Sequence, residues 1–91
     1  MSPRPCLRRR IRGRPSSSYF KPVGIPITDL EEIKLTLAEF EAVRLIDFEQ
    51  IPQKKAAEKM EVSQPTLSRI LTSARKKISE AIIKGKAIKI K

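Results

Sequence analysis

The chain has no histidine and no tryptophan, a single cysteine, three glycines and only 4% aromatic residues. Most of these shortages close off a kind of chemistry. Without an imidazole there is no Ser-His-Asp or Cys-His catalysis and no His-ligated zinc. One thiol cannot close an intrachain disulfide, nor supply the roughly four ligands of a structural zinc site. The fold must therefore rest on burial alone. A lone cysteine also suits a reducing compartment, so the expected location is the cytoplasm, with no metal and no cofactor. No acid–base pair or Gly-rich phosphate loop is recognisable either, and an enzyme is not expected. No apolar run approaches the roughly 18 residues of a membrane span. With 91 residues, 40% of them apolar, the chain can bury one modest core.

Acidic residues are missing from the first third of the chain. Residues 1–28 hold seven basic groups and no acidic one, interrupted by Pro3, Pro5, Pro15, Pro22 and Pro26. Such a segment reads as an extended basic arm in which no long helix fits. It resembles a transit peptide in composition, but its prolines argue against the amphipathic helix such peptides form. Residues 29–49 are locally acidic at minus five, and residues 50–91 return to plus eight. The whole chain carries 20 basic against 10 acidic residues, a formal net charge of +10. A small domain typically carries a net charge of magnitude about 2–8, so the surplus points to a polyanionic partner. Its uneven spread implies basic elements facing that partner and an acidic element facing away.

Three helices are predicted, at about 36–48, 53–60 and 64–84. Thr36 and Glu39 form a capping box at the start of the first. Ala42, Val43, Leu45 and Ile46 give that helix a buried face, with Glu41, Arg44 and Asp47 on or near the other side. Phe48 and Ile51 close the segment before Pro52, the entrance to a second helix whose apolar side is Ala56, Ala57 and Met60. The third helix carries one stripe at helical spacing, Leu67, Ile70, Leu71, Ala74, Ile78, Ala81 and Ile82. Ser63 is its N-cap, Pro65 lies in its first turn and Gly85 follows its end. Its length is roughly 30 Å at 1.5 Å per residue. The distal part of the stripe, Ile78 to Ile82, has a second reading as a dimer seam. Lys86 to Lys91 alternates like an edge strand, at about 86–90, with Tyr19 to Pro22, Glu32 to Leu35 or a second copy of the chain as its candidate partners.

The second and third helices are separated by so few residues that they must cross sharply, as in a helix-turn-helix. Small residues at 56 and 57 allow the close approach, and Val62 can plug the turn. The predicted organisation is thus a basic arm over 1–28 and a mainly α, tri-helical domain over 29–91 with a short C-terminal strand. The stretch Leu35 to Ala81 resembles the helix-turn-helix domain with which bacterial sigma factors read the promoter upstream element. The opening PRP, the YFKPVGIP segment, LTLAEFEAVRL, AAEKMEVSQPTLSRIL and the closing GKAIKI together resemble a family of small, uncharacterised prokaryotic proteins predicted to bind DNA. Some relatives in that family look fused to a second domain resembling nitrogenase cofactor-binding proteins. The family usually has glycine where this chain has Glu61, because the turn tends to be left-handed there, a conformation costing a non-Gly residue on the order of 1 kcal/mol.

The expected function is sequence-specific binding of double-stranded DNA in transcriptional regulation. Gln64, Thr66, Ser68 and Arg69 lie off the apolar stripe at the start of the third helix. Gln pairs bidentately with adenine, Arg with guanine, and the Thr methyl meets a thymine methyl. Ser63 with the free N–H groups behind it, Lys54, Lys55, Arg75, Lys76 and Lys77 are the candidate phosphate contacts. Arg8, Arg9, Arg10, Arg12 and Arg14 form the arm, and Arg12-Gly13-Arg14-Pro15 is similar to an AT-hook core that lies in the minor groove. The plainer readings are a solvated face for Gln64, Thr66 and Ser68, an ion pair with Glu39 or Glu41 for Arg69, solubility charge for Arg75 to Lys77, and a non-specific basic tail for the arm. Cys6, between Arg4 and Arg8, is either an activated thiol or an unremarkable one. A homodimer is the modest preference. Two other functions compete: a non-specific architectural protein on DNA or RNA, and a module that contacts RNA polymerase.

Overall fold

The computed structural model describes residues 13–91, so Cys6 and the arm residues Arg8, Arg9, Arg10 and Arg12 lie outside the described residues. Among the described residues there are three helices and one three-stranded sheet. In chain order these are β1 (Tyr19–Phe20), a 3-10 turn at Ile27–Asp29, β2 (Glu32–Leu35), α1 (Leu37–Val43), a π-helical turn at Arg44–Phe48, α2 (Gln53–Met60), α3 (Gln64–Lys84) and β3 (Ala87–Ile90).

Local chemistry sets the helix ends. The Thr36 hydroxyl accepts from the Glu39 N–H at 3.1 Å while the Glu39 carboxylate accepts from the Thr36 N–H at 2.9 Å, which completes the capping box. Ser63 caps α3 by accepting from the Thr66 N–H at 3.2 Å. Gly85 ends that helix in the left-handed region at φ 66°. Between α2 and α3 lie only Glu61, Val62 and Ser63. Glu61 adopts φ 58° and ψ 45°, the left-handed conformation expected of that position.

α1 does not continue regularly to residue 48. After Val43 the turn widens, and the Glu49 N–H bonds to the Arg44 carbonyl at 2.8 Å, a five-residue step. The wider turn leaves Phe48 79% exposed, where the sequence placed it at the close of the buried segment. Ile51, expected with Phe48 to close the segment, is packed against the main core. That core joins Ala42 and Leu45 to Ala56, Ala57 and Met60 of α2 and to Leu67 and Leu71 of α3. Ala56, Met60 and Leu67 are fully buried, so cutting Leu67 to alanine would cost about 2–5 kcal/mol.

A second, smaller core lies under the sheet, where Leu35, Ala74 and Ile90 meet, with Phe40, Ile78 and Ile88 at its margin. β3 is central, not an edge. It pairs antiparallel with β1 (Tyr19 to Lys89, Phe20 to Ile88) and parallel with β2 (Glu32 to Ala87 through Leu35 to Ile90). Parallel neighbours need a long crossover, and here the three helices provide it. Both candidate partners within the chain are used at once, and Tyr19–Phe20, within the presumed arm, belongs to the sheet. The α3 stripe is buried at Leu67, Leu71, Ala74 and Ala81, but Ile82 is 72% exposed. The second core ends at the level of Ile78 and Ile88, and Ile82 instead borders an open groove with Phe20, Pro22 and Ile88.

Candidate functional site

The outer side of α3 is a continuous polar band. Gln64, Ser68, Arg69 and Thr72 are all exposed, and Arg75, Lys76 and Ser79 carry the band along the helix. It lies opposite Leu67, Leu71 and Ala74, because positions three and four apart share a helix face. Arg69 makes no ion pair among the described residues: Glu39 and Glu41, its expected intramolecular partners, are taken by other groups. Thr66 sits lower, half-buried, and its hydroxyl accepts from Ser63 Oγ at 2.9 Å. Ser63 is thus engaged twice, as donor to Thr66 Oγ1 and as acceptor from its N–H. Lys54 and Lys55 are exposed in the first turn of α2.

The three basic residues in the middle of α3 have different fates. Lys76 is exposed and forms no ion pair among the described residues. Arg75 makes a two-pronged bond to Asp47, 2.6 Å from Nη2 to Oδ1 and 3.2 Å from Nε to Oδ2. This pair remains half in solvent, where exchange with another anion is cheap. Lys77 is more committed. Its ammonium donates to Glu39 Oε1 at 2.8 Å and to the Lys34 carbonyl at 2.9 Å. It therefore fastens α3 to α1 and β2, a role that no spacing along the chain announces.

Two carboxylates of α1 are internal. Glu39 is 7% exposed and accepts from Thr36, Lys77 and Ser73, the last at 2.5 Å. Burial pushes its pKa up, but the donors from Lys77, Ser73 and Thr36 outweigh burial and hold the carboxyl below its ordinary value. Glu41 is 1% exposed, although its helical position placed it toward solvent. It accepts from Arg44 through both oxygens at 2.9 Å, and from the Gly13 N–H at 3.1 Å. The acidic segment thus does not simply face away: its carboxylates bind the protein's own cations. The buried position of Glu41 is made by a segment 28 residues distant in sequence, which periodicity within α1 cannot register.

Gly13 lies so close to the Arg44 guanidinium that any Cβ there would collide with it. Its lack of a side chain has an internal use, independent of any groove in DNA. Beyond Gly13, Arg14 is exposed and lies on the rim of an apolar groove of about 500 Å³. Pro15, Phe20, Phe40 and Phe48 are among the residues that line it. Phe40 of α1 and Pro15 of the N-terminal segment thus face the same groove. Among the described residues no three of His, Cys, Asp and Glu are grouped to hold a metal ion, and no helix is long and apolar enough to cross a membrane.

Known proteins similar to this chain carry names that specify no activity. A UPF0251 protein of Caldanaerobacter subterraneus subsp. tengcongensis is 52% identical over 88 residues, covering 97% of this chain and 75% of the relative. One from Thermoanaerobacter pseudethanolicus is 48% identical with the same coverage. A third, from Halothermothrix orenii, is 50% identical over 86 residues, 94% of this chain and 64% of its own. No solved structure matches the chain. The family described as "Protein of unknown function DUF134" matches residues 1–91. By that match and by these relatives, the chain belongs to the DUF134 (UPF0251) family.

Proposed function

We propose that this protein binds double-stranded DNA sequence-specifically and acts in transcriptional regulation. In this reading α2, the turn at Glu61 to Ser63 and α3 form a helix-turn-helix, and α3 enters the major groove with its first two turns. The observation that carries the reading is the state of those turns. Gln64, Ser68 and Arg69 are exposed side by side without a salt bridge among the described residues, next to a capped helix N-terminus and the exposed Lys54 and Lys55. Gln and Arg are the side chains that distinguish adenine and guanine by paired hydrogen bonds. Thr66 takes a smaller part, since its hydroxyl is already bonded to Ser63. Its methyl remains suited to a thymine. Phosphate contacts fall to Lys54, Lys55 and Lys76, with Arg75 joining by exchanging Asp47 for phosphate. Lys77 contributes through position and field, since direct contact would cost its bond to Glu39.

Selection of bound sequences from a random duplex pool tests this directly. An enriched motif supports base readout, and a palindrome with half-sites about one helical turn apart would add a dimer. Recovery of unenriched DNA would instead favour an architectural binder. For Arg69→Ala the expected loss on the selected site is about 1–3 kcal/mol, with specificity relaxed at one base pair. An equal loss on random duplex would move Arg69 to the backbone. Polymerase capture that survives nuclease treatment, with no selected motif, would replace the DNA reading by a protein-contacting one.

A further inference from the structure

The last turn of α3 is apolar on nearly every side. Ala81 is buried against the protein, yet Ile82 and Ile83, which follow it, are 72% and 81% exposed. At 3.6 residues per turn these three side chains point about 100° apart, so they span more than half of the helix circumference. One exposed isoleucine would be ordinary, but this surface is continuous. Ile82 borders an open groove of about 290 Å³ with Phe20, Pro22, Ala81 and Ile88, and Phe20 is itself 52% exposed. Ser79, one turn earlier, lies between the two isoleucines on the helix surface, and Ile83 shares an open hollow with it. The apolar strip therefore runs from Phe20 across Ile82 and past the small Ser79 to Ile83, a width that a helix ordinarily buries. Around it stand Lys21, Lys76, Lys84 and Lys86 with Glu31 and Glu80. Lys86 is held by Glu80 at 2.7 Å and by Glu31 at 3.2 Å, and Lys21 donates to the Pro22 and Ile25 carbonyls.

We propose that this strip is the interface of a homodimer, in which the last turns of α3 from two copies cross antiparallel about a two-fold axis beside Ile82. Symmetry and charge select a second copy as the occupant. Such an axis sets each residue opposite the one equally far beyond Ile82, so Glu80 of each copy faces Lys84 of the other. The protruding Ile83 likewise comes opposite Ala81, at the wall of the groove that Phe20, Pro22 and Ile88 line. The area is sufficient. Phe20, Ile82 and Ile83 at these exposures offer on the order of 400 Å² per copy, a patch size that on a monomer is often functional. Homodimer interfaces are about 65% apolar, so two such patches imply about 1,200 Å² buried in all, the lower edge of stable interfaces. The expected dimer dissociates in the range of about 1–100 μM. The inference does not depend on the DNA-binding reading. Ile82 lies eighteen residues, or about 27 Å, along the helix from Gln64, so the first two turns of α3 stay outside the interface.

The test is sedimentation equilibrium of the full chain without DNA, from about 1 to about 500 μM in roughly 0.15 M salt. The mass should rise with concentration from 10.3 kDa toward twice that value and then level off. The double variant I82E/I83E should stay monomeric throughout, an association weakened by about 100-fold or more. Its thermal midpoint at the dilute end should match the wild type, since both side chains are exposed there. F48S removes an equally exposed apolar side chain from a different groove and should associate as the wild type does. K84E sets an acid against Glu80 of the other copy and should weaken association about ten-fold, whereas a smaller net charge by itself would strengthen it. A wild type that stays monomeric over the whole range overturns the proposal. So does a mass that climbs without levelling, which is aggregation, or one that F48S lowers and I82E/I83E leaves unchanged. K84E associating as tightly as the wild type overturns the antiparallel crossing, and the interface proposed here falls with it.

Discussion

Replacing Glu61 by glycine should stabilise the protein. Residue 61 is held at φ 58° and ψ 45° by the bonds that close α2. Its N–H reaches the Glu58 carbonyl at 3.1 Å, and the Val62 N–H reaches Ala57 at 3.0 Å. Relaxing out of the left-handed region would break both bonds and change the angle at which α3 leaves α2, so the strain is retained. That strain is about 1–2 kcal/mol for a residue with a Cβ and close to zero for glycine. The greater freedom of glycine in the unfolded chain returns about 0.4–1 kcal/mol of the gain. The net expectation is about 0.5–1 kcal/mol. Because substitution also removes the Glu61 carboxylate, Glu61→Ala is the proper reference, losing the same group while keeping the Cβ. The glycine variant should exceed the alanine variant by about 1 kcal/mol, or roughly 4–8 °C in thermal midpoint for a domain of this size. Thermal and urea melts of the three proteins at neutral pH decide the matter. A glycine variant no more stable than the alanine one would refute the claim that backbone strain is stored at this turn.

Two further perturbations address the internal ion pairs. The Glu39 pKa is depressed on folding, so its contribution is complete above the ordinary carboxylate range and fades as pH falls through the lower folded value. Glu39→Gln should therefore cost about 1–3 kcal/mol at pH 7 and close part of the gap to wild type below about pH 4. Parallel stability curves from neutral to acid pH would show that the carboxylate has no such role. Gly13→Ala must displace either the Arg44 guanidinium, held by Glu41, or the N-terminal segment. The expected cost is about 1–3 kcal/mol of stability, and a normal melting curve with weakened DNA binding would return Gly13 to a minor-groove role.

What the sequence makes legible here is local. The Thr36 and Glu39 capping box, the Ser63 cap, Pro65 and Gly85 each act within a few residues, and all lie where the backbone needs them. The stripe on α3 is equally direct through Ala81, because its burial repeats with the helix. What escaped depends on partners far along the chain. Glu41 reads as a surface acid until Gly13 and Arg44 close over it, and Lys77 reads as a surface base until Glu39 and the Lys34 carbonyl reach it. The widened turn at Arg44–Phe48 is one residue out of step within a five-residue segment, too short for hydrophobic spacing to distinguish α from π. The central place of β3 follows from two long-range pairings that a four-residue alternation cannot choose between.

These internal pairs also bear on how a charge of +10 is presented. Glu39, Glu41 and Asp47 lie on the segment between β2 and α2, which packs directly against α3. Left unpaired, they would set negative charge beside the helix proposed to meet DNA. Each is instead bonded to a cation, Lys77, Arg44 or Arg75. Pairing removes equal numbers of both signs, so the net charge stays the same while the acid's local field is cancelled. The exposed cations that remain unpaired among the described residues include Lys54, Lys55, Arg69 and Lys76 around the start and middle of α3. Salt dependence of binding should then reflect these few groups more than the total of 20 basic residues. In this arrangement the acidic middle of the sequence works as an internal counter-ion, giving direction to a charge that composition reports only as a sum.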